Sequence, residues 1–210
     1  MERIIESLNW RYATKKFDAT KKVSNEDLNA LLEALNLAPS SYGLQPYKFL
    51  VIENQEIRAK LLPASYGQSQ IVDASHMVLI CAKIKLLESD IDTYVSHIAK
   101  TRSIQEENLK GFGDTMKSTL LSLPPEKLTA WAIKQSYLAA GVVLTAAGDL
   151  KIDTCPMEGF VPAQYTEILG LEEKNLLPVQ VITIGYRSTE DQTQHMAKVR
   201  KEKEDIVEYI

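Results

Sequence analysis

Three cations, Arg11, Lys15 and Lys16, fall inside the eight residues RYATKKFD of a chain whose formal net charge is -4. Positive charge gathered against the overall sign faces either solvent or one specific anion. A second basic pair, Lys198 and Arg200 in the tripeptide KVR, lies near the other end. Two further segments are rich in turn formers: APSSYGLQPYKFLVIEN, residues 38–54, and PMEGF, residues 156–160. Pro39, Ser40, Ser41 and Gly43 mark one turn, and Pro156 with Gly159 another. The segments starting at Arg11, Ala38 and Pro156 sit at element boundaries, where free backbone donors can meet a ligand.

Other chemistries lack their residues. GFG at 111–113 has neither a preceding strand nor a third glycine at dinucleotide spacing, and reads as a helix interruption. There is no phosphate-binding P-loop and no HExxH. His76, His97 and His195 are scattered, without a second metal ligand at helical or hairpin spacing, and read as core or surface histidines. Glu88, Asp90 and Asp92 read as a solvated helix start. Cys155 has no base beside it in sequence and reads as a buried thiol. Cys81 and Cys155 form no CxxC, so two free thiols in a reducing compartment are expected.

The elements that must position these residues are partly legible. MERIIESLNWRYA carries Ile4, Ile5, Leu8 and Trp10 near helical spacing and predicts a short amphipathic helix. Ser24 caps a second helix through LNALLEALNLA, which must stop before Pro39. Strands are predicted at 48–54, 77–84 and 179–186, the second apolar enough to be buried on both faces. Between the last two lie helical patterns at 89–100, 105–121 and 126–150. In the third, WAIKQSYLAAGVVLTAAGDL is apolar on nearly every side, as in a buried helix, and its small residues would admit a close backbone. The sum is one domain, residues 1–210, with a sheet covered by helices. The 45% apolar and 25% charged fractions are those of an ordinary globular protein. The acidic balance argues against nucleic-acid binding, and no apolar run reaches membrane-spanning length. With no signal-peptide layout at its start, a cytoplasmic protein is expected.

RYATKKFD, PSSYGLQPYKF, YGQSQIVDASH, the apolar helix, PMEGF, ITIGYR and KVR, in this order, resemble the FMN-dependent nitroreductase family over nearly the whole chain. The likeness is greatest to oxygen-insensitive NAD(P)H nitroreductases and dihydropteridine reductases. It implies a three-layer α+β fold, with a mixed central sheet flanked by helices. It also implies an intertwined homodimer whose C-terminal segment, KEKEDIVEYI, reaches across to the partner. One FMN is expected in each of two interface pockets.

By that resemblance Arg11, Lys198 and Arg200 bind the flavin phosphate, with Tyr12 and Ala13 in the same segment. Lys15 sits at the pyrimidine edge and favours the anionic reduced ring. Pro39, Ser40 and Ser41 come from the other subunit. Gly67 and Gln70 lie along the pyrimidine edge, while Pro156, Met157, Glu158 and Gly159 pass over the ring. The backbone N–H of Glu158 meets N5, making Lys15 and Glu158 the catalytic pair. NAD(P)H is the expected donor, and a nitroaromatic, quinone or similar flat molecule the acceptor, in a ping-pong cycle. The same scaffold would also suit dihydropteridine or enone reduction, or flavin binding without turnover. The chain departs from the family at Ala13, where relatives have Ser, and at Gly43, where Asn is common. It departs again at Gly67 and Gln70, in place of Asn and Lys. Phe112 or Tyr94 is a candidate to stack over the flavin.

Overall fold

A computed structural model describes residues 2–210. Helix α1 spans Glu2–Trp10 and α2 spans Asn25–Asn36. The Ser24 hydroxyl accepts the Asp27 N–H, and α2 ends three residues before Pro39. Strand β1 is Tyr47–Val51, followed by α3, Gln55–Ala64, and the short α4, Gln70–Asp73. Strand β2, His76–Lys83, is buried on both faces along all but its last residue, as its apolar run predicts. Helices α5, Glu88–Arg102, and α6, Lys110–Leu120, pack on each other away from the sheet. The long α7, Pro125–Asp149, starts behind Pro124. It is followed by β3, Asp153–Met157, α8, Pro162–Leu169, and β4, Leu176–Gly185.

The strands stand in the order β1-β2-β4-β3 and every ladder between them is antiparallel. Among the described residues, parallel pairing is confined to a single bridge, Ala13 to Thr154. One face of the sheet (Val78, Ile80, Ile182, Ile184) packs on α2 and α7. The other (Met77, Leu79, Cys81, Val181) packs against α3, α4 and α8 through Leu61, Ile71 and Tyr165. This is the three-layer arrangement that the family resemblance implies, with a four-stranded sheet that is antiparallel rather than mixed.

Two expectations are corrected. Gly111, Phe112 and Gly113 do not interrupt a helix but lie inside the first turn of α6. The break falls just before them, at a 3-10 turn over Glu106–Leu109. Gly113 is there for packing, since a Cβ would meet the Val95 side chain at 3.3 Å. Nor is α7 buried all round: Tyr137, Leu138 and Gly141 are exposed. Leu138 and Gly141 lie on the same side as Ile4 of α1, and Ile4, Ile5 and Leu8 point outward at 40–57% exposure. An apolar groove of about 720 Å³ runs between the two helices, lined by Ile4, Leu138, Gly141, Val142 and Ala146 among others. No described helix is long and apolar enough to cross a membrane.

Candidate functional site

The two basic segments, nearly the whole chain apart in sequence, meet in one cleft. Arg11, Tyr12, Ala13, Pro156, Lys198 and Arg200 line a cavity of about 510 Å³. Its lining includes no carboxylate. Burial, then the neighbouring Arg200, pushes the Arg11 pKa down; burial, then Arg11 and Arg200, does the same to Lys198. Arg11 Nε is buried and lacks a hydrogen-bond partner among the described residues. Like charges crowded together around an orphaned donor leave the cleft short of one thing, an anion.

Local contacts hold these cations in place. The ammonium of Lys198 donates to the carbonyl of Leu8 at 2.8 Å and to that of Arg11, capping the last turn of α1. Behind Arg11, the Ala13–Thr154 bridge and the Thr14 N–H to Thr154 carbonyl bond (3.2 Å) fasten RYATKK along the edge strand β3. Ala13 thus contributes its backbone here. Arg187 lies over the rings of Trp10 and Tyr12 and pairs with the buried Asp153. Lys15 is exposed and close enough to oppose the rise that burial imposes on the Cys155 thiol. Lys16 takes no part in the cleft; its side chain pairs with Glu190 on the surface.

A second cluster forms where PMEGF meets YGQSQ. Glu158 and Gly159 leave the end of β3, just beyond the buried Met157. Tyr137 of α7 donates to the Glu158 carboxylate at 2.6 Å, and burial, with that bond, pushes the phenol up to about 12. The Gln68 amide donates to the carbonyls of Gly159 (2.7 Å) and Ser65 (3.0 Å), tying the two loops. Gly67 is exposed with a left-handed φ of 69°, whereas Gln70 is buried at the start of α4. The turn is anchored from beneath by Arg58, 0% exposed. Its guanidinium donates to the carbonyls of Ile71 (2.5 Å), Ala74 (2.6 Å) and Ser75 (3.3 Å).

The structure does not bring Pro39, Ser40 and Ser41 to the cationic cleft of the same chain. The Ser41 N–H donates to Gln135 on α7 (2.8 Å), while Arg11 packs beside Gly148 of the same helix. Thirteen residues of helix put those two points roughly 20 Å apart. Tyr94 is turned onto this loop, donating to the Tyr42 carbonyl at 2.7 Å, and Phe112 meets the Tyr42 ring edge-on. Tyr94 Oη occupies the space a Cβ at Gly43 would need, and Gly43 has a φ of 74°, so a side chain there must displace the Tyr94 hydroxyl. Gln68, Tyr137, Asp191 and Arg58 went unmarked in the sequence. For Arg58 a signal existed, because it shares the buried 58, 61, 64 stripe of α3 with Leu61 and Ala64. Cys81 and Cys155 are free and buried, and no metal-binding group occurs among the described residues.

The sequence pattern of the Nitroreductase family matches residues 8–186. A protein of Staphylococcus saprophyticus, provisionally named NAD(P)H nitroreductase, is 40% identical over 219 aligned positions, covering 100% of this chain and 97% of its own length. YfkO of Bacillus subtilis, provisionally named likewise, is 36% identical over 99% of this chain and 97% of its own. Among solved structures, a provisionally assigned nitroreductase from Exiguobacterium sibiricum in complex with FMN superposes with a TM-score of 0.84 at 25% identity, covering 99% of this chain and 97% of that one. A fold shared from end to end, and a family pattern spanning all but the final segment and the first residues, make this chain a member of the nitroreductase family, a family of oxidoreductases.

Proposed function

We propose that this chain is an FMN-dependent NAD(P)H oxidoreductase that works as a homodimer and reduces nitroaromatics, quinones or related flat acceptors. The observation that carries the reading is the carboxylate-free cationic cleft with the unpartnered, buried Arg11 Nε. A flavin phosphate fits that deficit, and a related structure holds FMN. Arg11, Lys198 and Arg200 would hold the phosphate, the guanidinium fork matching its oxygens. FMN, when bound, supplies a ring that takes a hydride from NAD(P)H and passes two electrons to the acceptor in a ping-pong cycle. Lys15 supplies a fixed positive charge that favours an anionic reduced ring over a neutral oxidised one. The backbone N–H of Glu158, on the loop held by Tyr137 and Gln68, would donate to the hydride-accepting edge of the ring. No side chain need act as nucleophile.

The position of two points on α7 supports the dimer. The midpoint of positions 135 and 148 falls between Gly141 and Val142, in the middle of the exposed groove. Two copies pairing α7 antiparallel about that point would set the Ser41 end of one chain on the Arg11 end of its partner. The roughly 20 Å gap within one chain then closes between chains. It also covers Ile4, Ile5 and Leu138, whose exposure a monomer leaves unexplained. The exposure of Ile206, Tyr209 and Ile210 supports a C-terminal segment that extends over the partner.

The test is reconstitution. The purified protein should take up one FMN per chain and oxidise NAD(P)H when menadione or a nitrofuran is added, with parallel reciprocal plots. Leu138→Arg should yield monomers by sedimentation and lose FMN. A protein that stays colourless with excess FMN, or a Leu138→Arg monomer that retains it, overturns the reading.

A further inference from the structure

Asp191 lies outside every segment marked in the sequence, yet it holds the RYATKK turn. It is 3% exposed. Its Oδ2 accepts the backbone N–H of Lys15 at 2.8 Å, that of Lys16 at 3.2 Å and the Tyr12 hydroxyl at 2.8 Å. Its Oδ1 accepts the Thr193 N–H at 3.0 Å, at the start of the segment that leads to Lys198 and Arg200. Burying a carboxylate is costly unless it is fully satisfied. Here it is satisfied by three backbone amides and a phenol, and among the described residues it makes no ion pair. That choice of partners has a chemical consequence. A carboxylate paired with the Lys15 ammonium would neutralise it, whereas one bound to the Lys15 amide fixes the backbone and leaves the ammonium free.

We infer that Asp191 is a positioning residue that sets where the Lys15 ammonium stands against the reduced cofactor. The inference rests on the proposed FMN reading. Charge and position predict opposite signs when Asp191 is replaced by Asn. Removing a nearby negative charge would by itself favour an anionic reduced flavin and raise the midpoint potential. Releasing Lys15 would lower it.

The experiment compares FMN-loaded wild type, Lys15→Ala, Asp191→Asn and the double variant by dye-equilibrated potentiometry. Asp191→Asn should lower the two-electron midpoint by about 30 mV, a tenfold loss of preference for the reduced form. The double variant should fall no lower than Lys15→Ala alone. Asp191→Glu keeps the charge but moves the carboxylate, and should lower the potential as well; it also serves if the Asn variant does not fold. An upward shift, no shift, or additive lowering overturns the inference. Amide exchange at Lys15 and Lys16 reads the clamp without FMN: faster exchange in Asp191→Asn is expected, and unchanged exchange overturns it. A wild type that binds no FMN while its clamp behaves as expected would mark the proposed function, not the clamp, as the error.

Discussion

Replacing Arg11 by Met separates a residue kept for a ligand from one kept for the fold. Met preserves the stem that packs beside Gly148 and removes the guanidinium. In the protein without ligand, that guanidinium is a liability: its Nε is buried without a partner among the described residues, and Arg200 and Lys198 stand nearby. An unsatisfied buried donor costs about 1–3 kcal/mol, and the lower end applies because Arg11 is only partly buried. The ligand-free Arg11→Met protein should therefore be more stable by about 1 kcal/mol, a rise of about 2–4 °C in Tm for a chain of this length. The same change removes a charge-assisted bond to the phosphate worth about 1.5–3 kcal/mol, weakening FMN about ten- to a hundredfold. Thermal melts of the ligand-free protein and a fluorescence titration with FMN, both at one protein concentration, measure the two effects. Opposite signs are the signature. If stability falls along with affinity, Arg11 is a packing residue; if affinity is that of wild type, the phosphate lies elsewhere.

Three further outcomes are expected. Arg58→Met strands the carbonyls of Ile71, Ala74 and Ser75, at about 1–3 kcal/mol for each one left unsatisfied, and should cost at least about 3 kcal/mol in urea denaturation; a loss below about 1 kcal/mol would contradict the anchoring role. Gly43→Ala forces a left-handed Cβ against Tyr94 Oη and should destabilise by about 1–3 kcal/mol. Adding Tyr94→Phe should restore part of that, and equal single and double variants would dismiss the clash. Burial pushes the Asp191 carboxyl up, but the Lys15, Tyr12, Lys16 and Thr193 donors outweigh it and hold the pKa below its ordinary value. A depressed folded pKa means the unfolded chain binds the proton more readily. The Asp191 contribution is therefore complete above the ordinary value, about pH 4, and is lost as pH falls through the folded one. The urea-midpoint gap between wild type and Asp191→Asn should narrow on acidification below about pH 4; a constant gap would refute the assignment.

Where a local rule governs, the sequence and the structure agree. Ser24 capping α2, the stop ahead of Pro39, and the doubly buried β2 all follow from near-neighbour chemistry or periodicity. Strand β3 was not legible, since Asp153, Thr154 and Pro156 break any apolar pattern. Its edge position beside β4 lets Pro156 stand without a missing ladder bond being felt. The exposed side of α7 was also hidden, because periodicity reports that a helix is apolar, not what covers it.

The amino-acid sequence alone determined which groups could hold an anion, Arg11, Lys15, Lys198 and Arg200, and the order of motifs that places the chain in its family. Only the tertiary structure decided that Arg11 and Lys198 share one cleft, that Asp191 binds the amide of Lys15 from 176 residues away, and that Ser41 lies far from the cleft of its own chain. The reason is physical: side-chain chemistry is written residue by residue, whereas burial and hydrogen-bond partners exist only once distant segments have packed together.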